Sequence, residues 1–189
     1  RIRDQIVTLN KEITKIKKYR SLQRQKRQDI PLPIIALVGY TNAGKSTLLN
    51  AMTGAQVFVQ DKLFATLDPT TRRLTLPNRQ KVLFTDTVGF INKLPHQLVA
   101  AFRATLEELV EADMLLHIID ASHPEYEKQI VTVQKVLSDL ELQNKPVINV
   151  FNKIDLLKHQ TSRQRVMRNH PEGVFLSALK KTQLEALYQ

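Results

Sequence analysis

Nine consecutive residues carry the clearest chemical signal in this chain. Residues 39–47 read Gly-Tyr-Thr-Asn-Ala-Gly-Lys-Ser-Thr and match the Gly-x-x-x-x-Gly-Lys-Ser/Thr phosphate loop. Its two glycines let the backbone curl so that successive N–H groups face phosphate oxygens. Lys45 adds a cation for the terminal phosphates, and the Ser46 hydroxyl is an oxygen ligand for Mg²⁺. The predicted phosphate contacts are Gly39, Tyr40, Thr41, Asn42, Ala43, Gly44, Lys45, Ser46 and Thr47.

The residues on either side of this loop supply the context that the motif requires. The apolar run 34–38 precedes it and favours a strand, whereas helix-forming residues 48–52 follow it. A helix that begins near Lys45 directs the positive end of its dipole at a bound anion. Because a chance glycine-rich turn would lack this strand–loop–helix order, the sequence predicts a genuine phosphate site.

A second element, Asp86-Thr87-Val88-Gly89, follows the apolar run 81–85. An aspartate at the end of a strand holds Mg²⁺, generally through water, and Gly89 offers a backbone N–H to a terminal phosphate. Asp-x-x-Gly alone also describes an ordinary exit from a strand. Its place downstream of a phosphate loop favours the interpretation as a magnesium and phosphate contact.

A third element would select the base of a nucleotide. Residues 152–155 read Asn-Lys-Ile-Asp and follow the apolar run 146–151. The Asp155 carboxylate is suited to accept from N1–H and the exocyclic amino group of guanine, whereas adenine offers neither donor there. Asn152 is expected to tie the loop together, and the Lys153 stem to lie across the ring. A polar turn at a helix start is the plainer alternative for these residue types.

Residues 177–179, Ser177-Ala178-Leu179, follow the last apolar run of the chain. At the carboxyl end of a strand, the Ala178 N–H is expected to face the O6 atom of guanine.

The alternation of apolar and polar segments predicts an α/β fold. The predicted strands are 34–38, 72–76, 81–85, 114–119, 146–151 and 173–176, and the predicted helices are 45–53, 96–111, 124–141 and 180–189. A hairpin turn at 77–80 makes one strand antiparallel, whereas the continuously apolar runs are typical of buried parallel strands. Together they predict a doubly wound, mostly parallel six-stranded sheet with helices on both faces and ligand at the carboxyl ends of the strands.

Three further features lie outside these motifs. His117, inside a predicted strand, is expected to be a core histidine. Residues 55–71 form a predicted long loop beside the phosphate site, and such loops are usually functional. Residues 158–172 are polar and give no clear signal.

The charge of the chain is concentrated at its amino terminus. The 189 residues carry a formal net charge of +10 and no cysteine, which excludes a disulfide framework. Residues 1–28 hold ten Lys or Arg against two acids. A solvated helix face and a polyanion partner such as structured RNA both account for this segment. No apolar run is long enough for a membrane helix, so we expect no membrane partner.

The same segment has the pattern of an unpaired coiled-coil helix. Ile2, Ile6, Leu9, Ile13 and Ile16 follow heptad spacing, and Pro31 and Pro33 end the pattern. We therefore predict a basic helical arm at 1–30 and a nucleotide-binding domain at 31–189. Because the chain begins at Arg1 and ends in a helical pattern, we expect it to be a fragment of a longer protein. We expect a monomer, with self-association through residues 1–28 as the alternative.

The ordered motifs resemble those of a translation-factor-type small GTPase, and longer strings resemble the HflX family of ribosome-associated GTPases. These strings are residues 63–73, 86–91 and 94–102, and the resemblance is dense over 34–157. It implies GTP or GDP and Mg²⁺ as ligands and hydrolysis of GTP. It also implies action on the large ribosomal subunit in splitting stalled or idle ribosomes. The implied location is a bacterial-type cytoplasm or an organellar matrix or stroma. Residues 1–28 then resemble the second arm of the family's helical hairpin.

The resemblance also assigns individual roles. Thr66 fills the position of the switch threonine that caps Mg²⁺, with Thr70 and Thr71 as alternatives, and Lys45, Thr66 and Gly89 form the implied catalytic set. Phe90 stands where Ras-like GTPases place a water-orienting glutamine, so we expect slow intrinsic hydrolysis that a partner accelerates. By analogy with potassium-activated GTPases, Asn42 is a candidate K⁺ ligand.

Two other classes of function compete with a GTPase switch. The first is a binding module that grips RNA or an assembling ribosome through the basic arm and merely holds GTP or GDP. The second is a P-loop ATPase or kinase, against which Asn152 and Asp155 argue.

Overall fold

A computed structural model describes residues 32–54, 70–87, 89 and 109–188 of the chain. Six strands form one sheet, and all six lie where the sequence predicts them. They are β1 (Ile34–Gly39), β2 (Thr70–Thr75), β3 (Lys81–Asp86), β4 (Met114–Asp120), β5 (Val147–Asn152) and β6 (Val174–Phe175). Their order across the sheet is β2-β3-β1-β4-β5-β6.

The sheet is parallel apart from one edge. β1 pairs in parallel with β3 and with β4, and the parallel pairing continues through β5 to β6. β2 pairs antiparallel with β3, as the hairpin prediction required. Within the connecting turn, the Leu76 N–H donates to Gln80 O at 2.8 Å. The parallel arrangement places the carboxyl ends of β1, β3, β4 and β5 at one edge of the sheet.

Helices cover both faces of the sheet because strand residues alternate between them. The helices are α1 (Lys45–Thr53), α2 (Tyr126–Asp139) and α3 (Gln160–Asn169). Leu48 and Leu49 of α1 pack in one core cluster with Leu37 of β1. Val133 of α2 packs with Val38 of β1 in a second cluster on the opposite face. The doubly wound prediction is confirmed for the described residues.

Only some of the helix predictions are confirmed. Helix α1 has the predicted bounds, and α2 is two residues shorter at each end than its prediction. Helix α3 was missed, since its polar sequence buries only Val166 among its ten residues. In place of a helix at 180–189 the chain forms a turn and a 3₁₀ helix at Leu184–Tyr188. Of the helix predicted at 96–111, only 109–111 are described, and they are helical.

The predicted arm at 1–30 and most of the predicted loop at 55–71 lie outside the described residues. The boundary between arm and domain therefore stays a prediction. Among the described residues, no helix is long and apolar enough to span a membrane.

Candidate functional site

The phosphate loop leaves β1 at the carboxyl edge of the sheet and enters α1. Gly44, the last residue before α1, has φ 96° and ψ 27°, which is a left-handed conformation. A Cβ on Gly44 would lie 2.3 Å from Asn152 Nδ2, so a larger residue would collide with the neighbouring loop. Ala43 is buried, Asn42 is exposed with φ 60°, and Thr47 is half-buried on the first turn of α1. The loop thus depends on a backbone conformation and a close approach to Asn152 that favour glycine at position 44.

The Lys45 side chain turns back over the loop. Its Nζ donates to Gly39 O at 3.2 Å and to Tyr40 O at 3.1 Å. Because the side chain is only 6% exposed, burial lowers the pKa of Lys45 to about 8, against an opposing effect of the Asp86 carboxylate. A negatively charged phosphate at the loop would favour the protonated ammonium, so the lysine is suited to pair with one.

Gly89 lies directly against the phosphate loop. A Cβ on this residue would stand 2.8 Å from Thr41 Cα and 2.9 Å from Lys45 Nζ. The Asp-x-x-Gly element and the phosphate loop are therefore in contact at Gly89. Only a glycine permits so close an approach without displacing the lysine.

Two oxygen-bearing side chains meet where the sequence predicts a magnesium site. Ser46 Oγ donates to Asp86 Oδ2 at 2.5 Å, and Asp86 is fully buried at the end of β3. A hydroxyl and a carboxylate are hard oxygen donors of the kind that Mg²⁺ prefers, so both residues fit the ion. Thr87 fixes the exit of β3, since its Oγ1 donates to Leu37 O of β1 at 2.6 Å.

Asn152 joins three of the predicted motifs. Its Nδ2 donates to Ala43 O of the phosphate loop at 2.8 Å, and its Oδ1 accepts the Ala178 N–H at 2.9 Å. The side chain is only 2% exposed. The predicted tie is therefore observed, and it fastens the phosphate loop and the 177–179 loop to the end of β5.

The two charged residues of the 152–155 element stand in contrasting surroundings. Asp155 is exposed in a short 3₁₀ helix at Ile154–Leu156, and no described residue hydrogen-bonds to its carboxylate. Lys153 adopts φ 63° and forms an ion pair with Asp120, whose Oδ2 lies 2.7 Å from its Nζ. Asp120 was not singled out in the sequence. The signal was available, because Asp120 ends a buried strand that neighbours β5 in the parallel sheet.

The loop after β6 is held by both backbone and side chains. Ser177 is buried and exchanges backbone hydrogen bonds with Thr182 at 3.1 Å, while Leu179 is 72% exposed. The Ala178 N–H, expected to face guanine O6, donates to Asn152 Oδ1 at 2.9 Å. Its contact with guanine stays a prediction.

Of the three threonines considered as the switch residue, the structure describes Thr70 and Thr71 but not Thr66. Thr66 lies outside the described residues, as does Phe90. Thr70 pairs in register with Asp86, which places its backbone beside the predicted magnesium ligand. Thr71 lies within β2, where its Oγ1 is 3.0 Å from Thr85 Oγ1.

His117 is a core histidine, as predicted. It is buried in β4, and its Nδ1 lies 3.2 Å from Asn149 Oδ1. Burial lowers the pKa of His117 to about 4, an effect that the Asn149 hydrogen bond opposes and the nearby Lys45 charge reinforces. The imidazole is therefore neutral near pH 7 and belongs to the scaffold behind the phosphate loop.

The chain is similar in sequence to a known protein family and to curated GTPases. A family model described as "50S ribosome-binding GTPase" matches residues 34–153. GTPase HflX of Caldanaerobacter subterraneus subsp. tengcongensis is 51% identical over 188 residues, which cover 100% of this chain and 42% of that protein. GTPase HflX of Escherichia coli K12 is 43% identical over 189 residues, or 100% of this chain and 44% of that protein. The chain therefore spans less than half the length of these curated relatives.

Solved structures share the fold. A GTP-binding protein from the archaeon Sulfolobus solfataricus, in complex with GDP, aligns with a TM-score of 0.66 at 29% identity, over 94% of this chain and 58% of that one. Era, in complex with MgGDPNP and nucleotides 1506–1542 of 16S ribosomal RNA, aligns with a TM-score of 0.62 at 31% identity. That alignment covers 82% of this chain and 54% of the Era chain.

Proposed function

Because the chain belongs to the HflX family of GTPases, we propose that it binds GTP and GDP and hydrolyses GTP as a switch on the large ribosomal subunit. The observation that carries the nucleotide assignment is the double hydrogen bond of Asn152, which links the phosphate loop to the loops expected to hold the base. This link holds the 152–155 element, which is expected to select the base, next to the loop that is expected to bind the phosphates.

At the phosphate end, the residues are arranged to compensate negative charge. Lys45 Nζ lies against Gly39 and Tyr40 of the phosphate loop, where it would pair with the terminal phosphates, and the N-terminus of α1 would add its dipole. Ser46 and Asp86 would hold Mg²⁺, which supplies charge neutralisation for the phosphates when bound. Gly89 lies against the phosphate loop, and its N–H would donate to a terminal phosphate and so respond to its presence.

At the base end, Asp155 supplies the selection. Its exposed carboxylate would accept both the N1–H and the amino group of guanine. Adenine would leave that acceptor unsatisfied, and hydrogen-bonding sites of this kind discriminate strongly against a ligand that lacks the donors. The Lys153 stem would cover one face of the ring.

Hydrolysis is expected to be slow without a partner. Phosphoryl transfer depends on positioning and on stabilisation of charge rather than on covalent chemistry. Phe90 follows Gly89 where a water-orienting side chain would help, and phenylalanine has no hydrogen-bonding group for that task. A partner surface must then complete the site. The proposed partner is the large ribosomal subunit, in the splitting or rescue of stalled ribosomes in the bacterial cytoplasm.

The first experiment measures nucleotide binding by the purified chain. Calorimetry with GTP and GDP against ATP, in Mg²⁺ buffer, is expected to give a preference for guanine nucleotides of at least about 10²-fold. In the Asp155→Asn variant the amide nitrogen replaces one acceptor, so we expect GDP affinity to fall by about 10–100-fold. Xanthosine diphosphate, which carries a carbonyl in place of the amino group, should gain in relative affinity. Equal binding of GDP and ADP by the unaltered chain would overturn the assignment.

The second experiment measures the enzyme activity on its partner. Single-turnover phosphate release from GTP is compared with and without large ribosomal subunits, with small subunits as the matched control. We expect acceleration by large subunits alone. Equal rates would refute activation by this partner. Tight GTP binding with no release on ribosomes would favour the alternative of a nucleotide-dependent RNA-binding or assembly module.

A further inference from the structure

An ion pair lies at the rim of the proposed base site. Lys153 Nζ and Asp120 Oδ2 are 2.7 Å apart, and their side chains are 29% and 16% exposed. Both charges are thus largely withdrawn from water, so each is costly to leave without the other. In contrast, the Lys128–Glu125 pair, which also belongs to the described part of the chain, is solvent-exposed on both sides.

The carboxylate of this pair is fixed from its other side. Asp120 Oδ1 accepts the Ser122 N–H at 3.0 Å and the Ser122 hydroxyl at 2.6 Å. One oxygen of the carboxylate therefore anchors it to its own turn, and the other is directed at Lys153. The orientation of the carboxylate does not depend on the lysine.

The backbone holds the two residues in register. Asp120 is the partner of Asn152 at the ends of β4 and β5, and the Ala121 N–H donates to Asn152 O at 3.0 Å. Lys153, one residue later, sits in the left-handed region that residues with a Cβ rarely adopt. The ion pair with Asp120 fixes where the lysine stem ends.

We propose that Asp120 is the positioning residue for Lys153, and that it raises the affinity for guanine nucleotides without touching them. The inference rests on the proposed function, in which the Lys153 stem covers the base. A lysine stem carries several rotatable bonds, and ordering them on binding would reduce affinity. By holding the ammonium in advance, Asp120 removes much of that cost before the nucleotide arrives.

The test is a double-mutant cycle on GDP affinity. Asp120→Asn keeps an oxygen for the Ser122 donors but removes the charge that faces Lys153, so the local fold is preserved. We expect Asp120→Asn and Lys153→Ala each to weaken GDP binding roughly tenfold, and the double variant to be no weaker than Lys153→Ala by more than about twofold. Glu125→Ala, which breaks the exposed ion pair nearby, is the matched control and should bind GDP within about twofold of the unaltered chain.

The outcomes separate the inference from its premise. If the unaltered chain prefers GDP over ADP but the losses of Asp120→Asn and Lys153→Ala simply multiply in the double variant, Asp120 acts on the fold and not through Lys153. Unchanged affinity in Asp120→Asn would also overturn the inference. If the unaltered chain shows no guanine preference, the proposed function fails and this inference fails with it. Melting of each nucleotide-free variant identifies any loss that comes from unfolding alone.

Discussion

Removal of the Asn152 side chain tests the linkage between the three loops directly. Asn152→Ala deletes one donor and one acceptor from the buried end of β5. The Ala43 carbonyl and the Ala178 N–H lose their partners, and both residues are almost fully buried. Since the alanine methyl fills only part of the vacated space, the perturbation leaves two unsatisfied polar groups and a small polar cavity.

The size of the effect follows from those two groups. An unsatisfied buried donor or acceptor costs about 1–3 kcal/mol, so two give about 2–6 kcal/mol. A water that enters the cavity would satisfy part of the need and move the cost toward the lower half of that range. For a chain of this size, about 1 kcal/mol shifts the melting temperature by about 2–4 °C. We therefore expect the nucleotide-free variant to melt at least about 4 °C below the unaltered chain.

The assay is thermal and urea-induced unfolding followed by circular dichroism in the absence of nucleotide. Asn144→Ala, at an exposed turn position, is the matched control and should melt within about 1 °C of the unaltered chain. If Asn152→Ala unfolds at the same temperature and urea midpoint as Asn144→Ala, the buried link does not stabilise the fold and the reasoning is refuted. The result does not depend on any bound nucleotide.

Three further outcomes are expected. Gly89→Ala would bring a methyl within 3.0 Å of Thr41 Cα and Lys45 Nζ. It should therefore weaken binding of a GTP analogue by at least about tenfold in calorimetry, and unchanged affinity would contradict the close packing. The pKa of His117 is lowered from 6.5 to about 4, so the unfolded state binds more protons than the folded state between these pH values. The free energy of unfolding should therefore be highest above pH 6.5 and fall by about 3 kcal/mol as the pH falls to 4. Urea unfolding of His117→Gln should lack this decline, and parallel pH curves would disprove it. Replacing K⁺ by Na⁺ should lower GTP turnover, and Asn42→Ala should abolish the difference; identical turnover in both salts would exclude Asn42 as a K⁺ ligand.

The sheet could be predicted because its strands are apolar and punctuated by turns. β4 and the carboxyl half of β5 are buried on both faces, so the hydrophobic content of these runs was enough to predict them. Helix α3 could not be found in the same way. It lies on the protein surface and buries only Val166, so its sequence lacks the periodic apolar stripe that would predict a helix. Its position depends on one core contact that the sequence does not distinguish from an exposed valine.

The motifs at the site could be predicted because each needs a local backbone shape. A Cβ on Gly44 or Gly89 would collide with a neighbouring loop, so both positions require glycine, and a glycine in a motif is visible in the sequence. The direct bonds between motif side chains are harder to predict. The sequence assigns Ser46 and Asp86 to one Mg²⁺ site and so predicts that they lie close together. It does not predict that Ser46 Oγ donates to Asp86 Oδ2 at 2.5 Å.

The Ala178 N–H shows how the parts of the site depend on one another. The sequence predicts that this N–H faces guanine O6, which stays a prediction, but it does not indicate the acceptor for this N–H within the chain. In the folded chain the Asn152 oxygen lies closer at hand, and a buried N–H must find an acceptor whether or not a ligand is present. The same requirement explains why Asn152 donates to the Ala43 carbonyl. A site that satisfies its own polar groups before binding is already ordered, so the nucleotide does not have to supply the free energy of assembling the three loops.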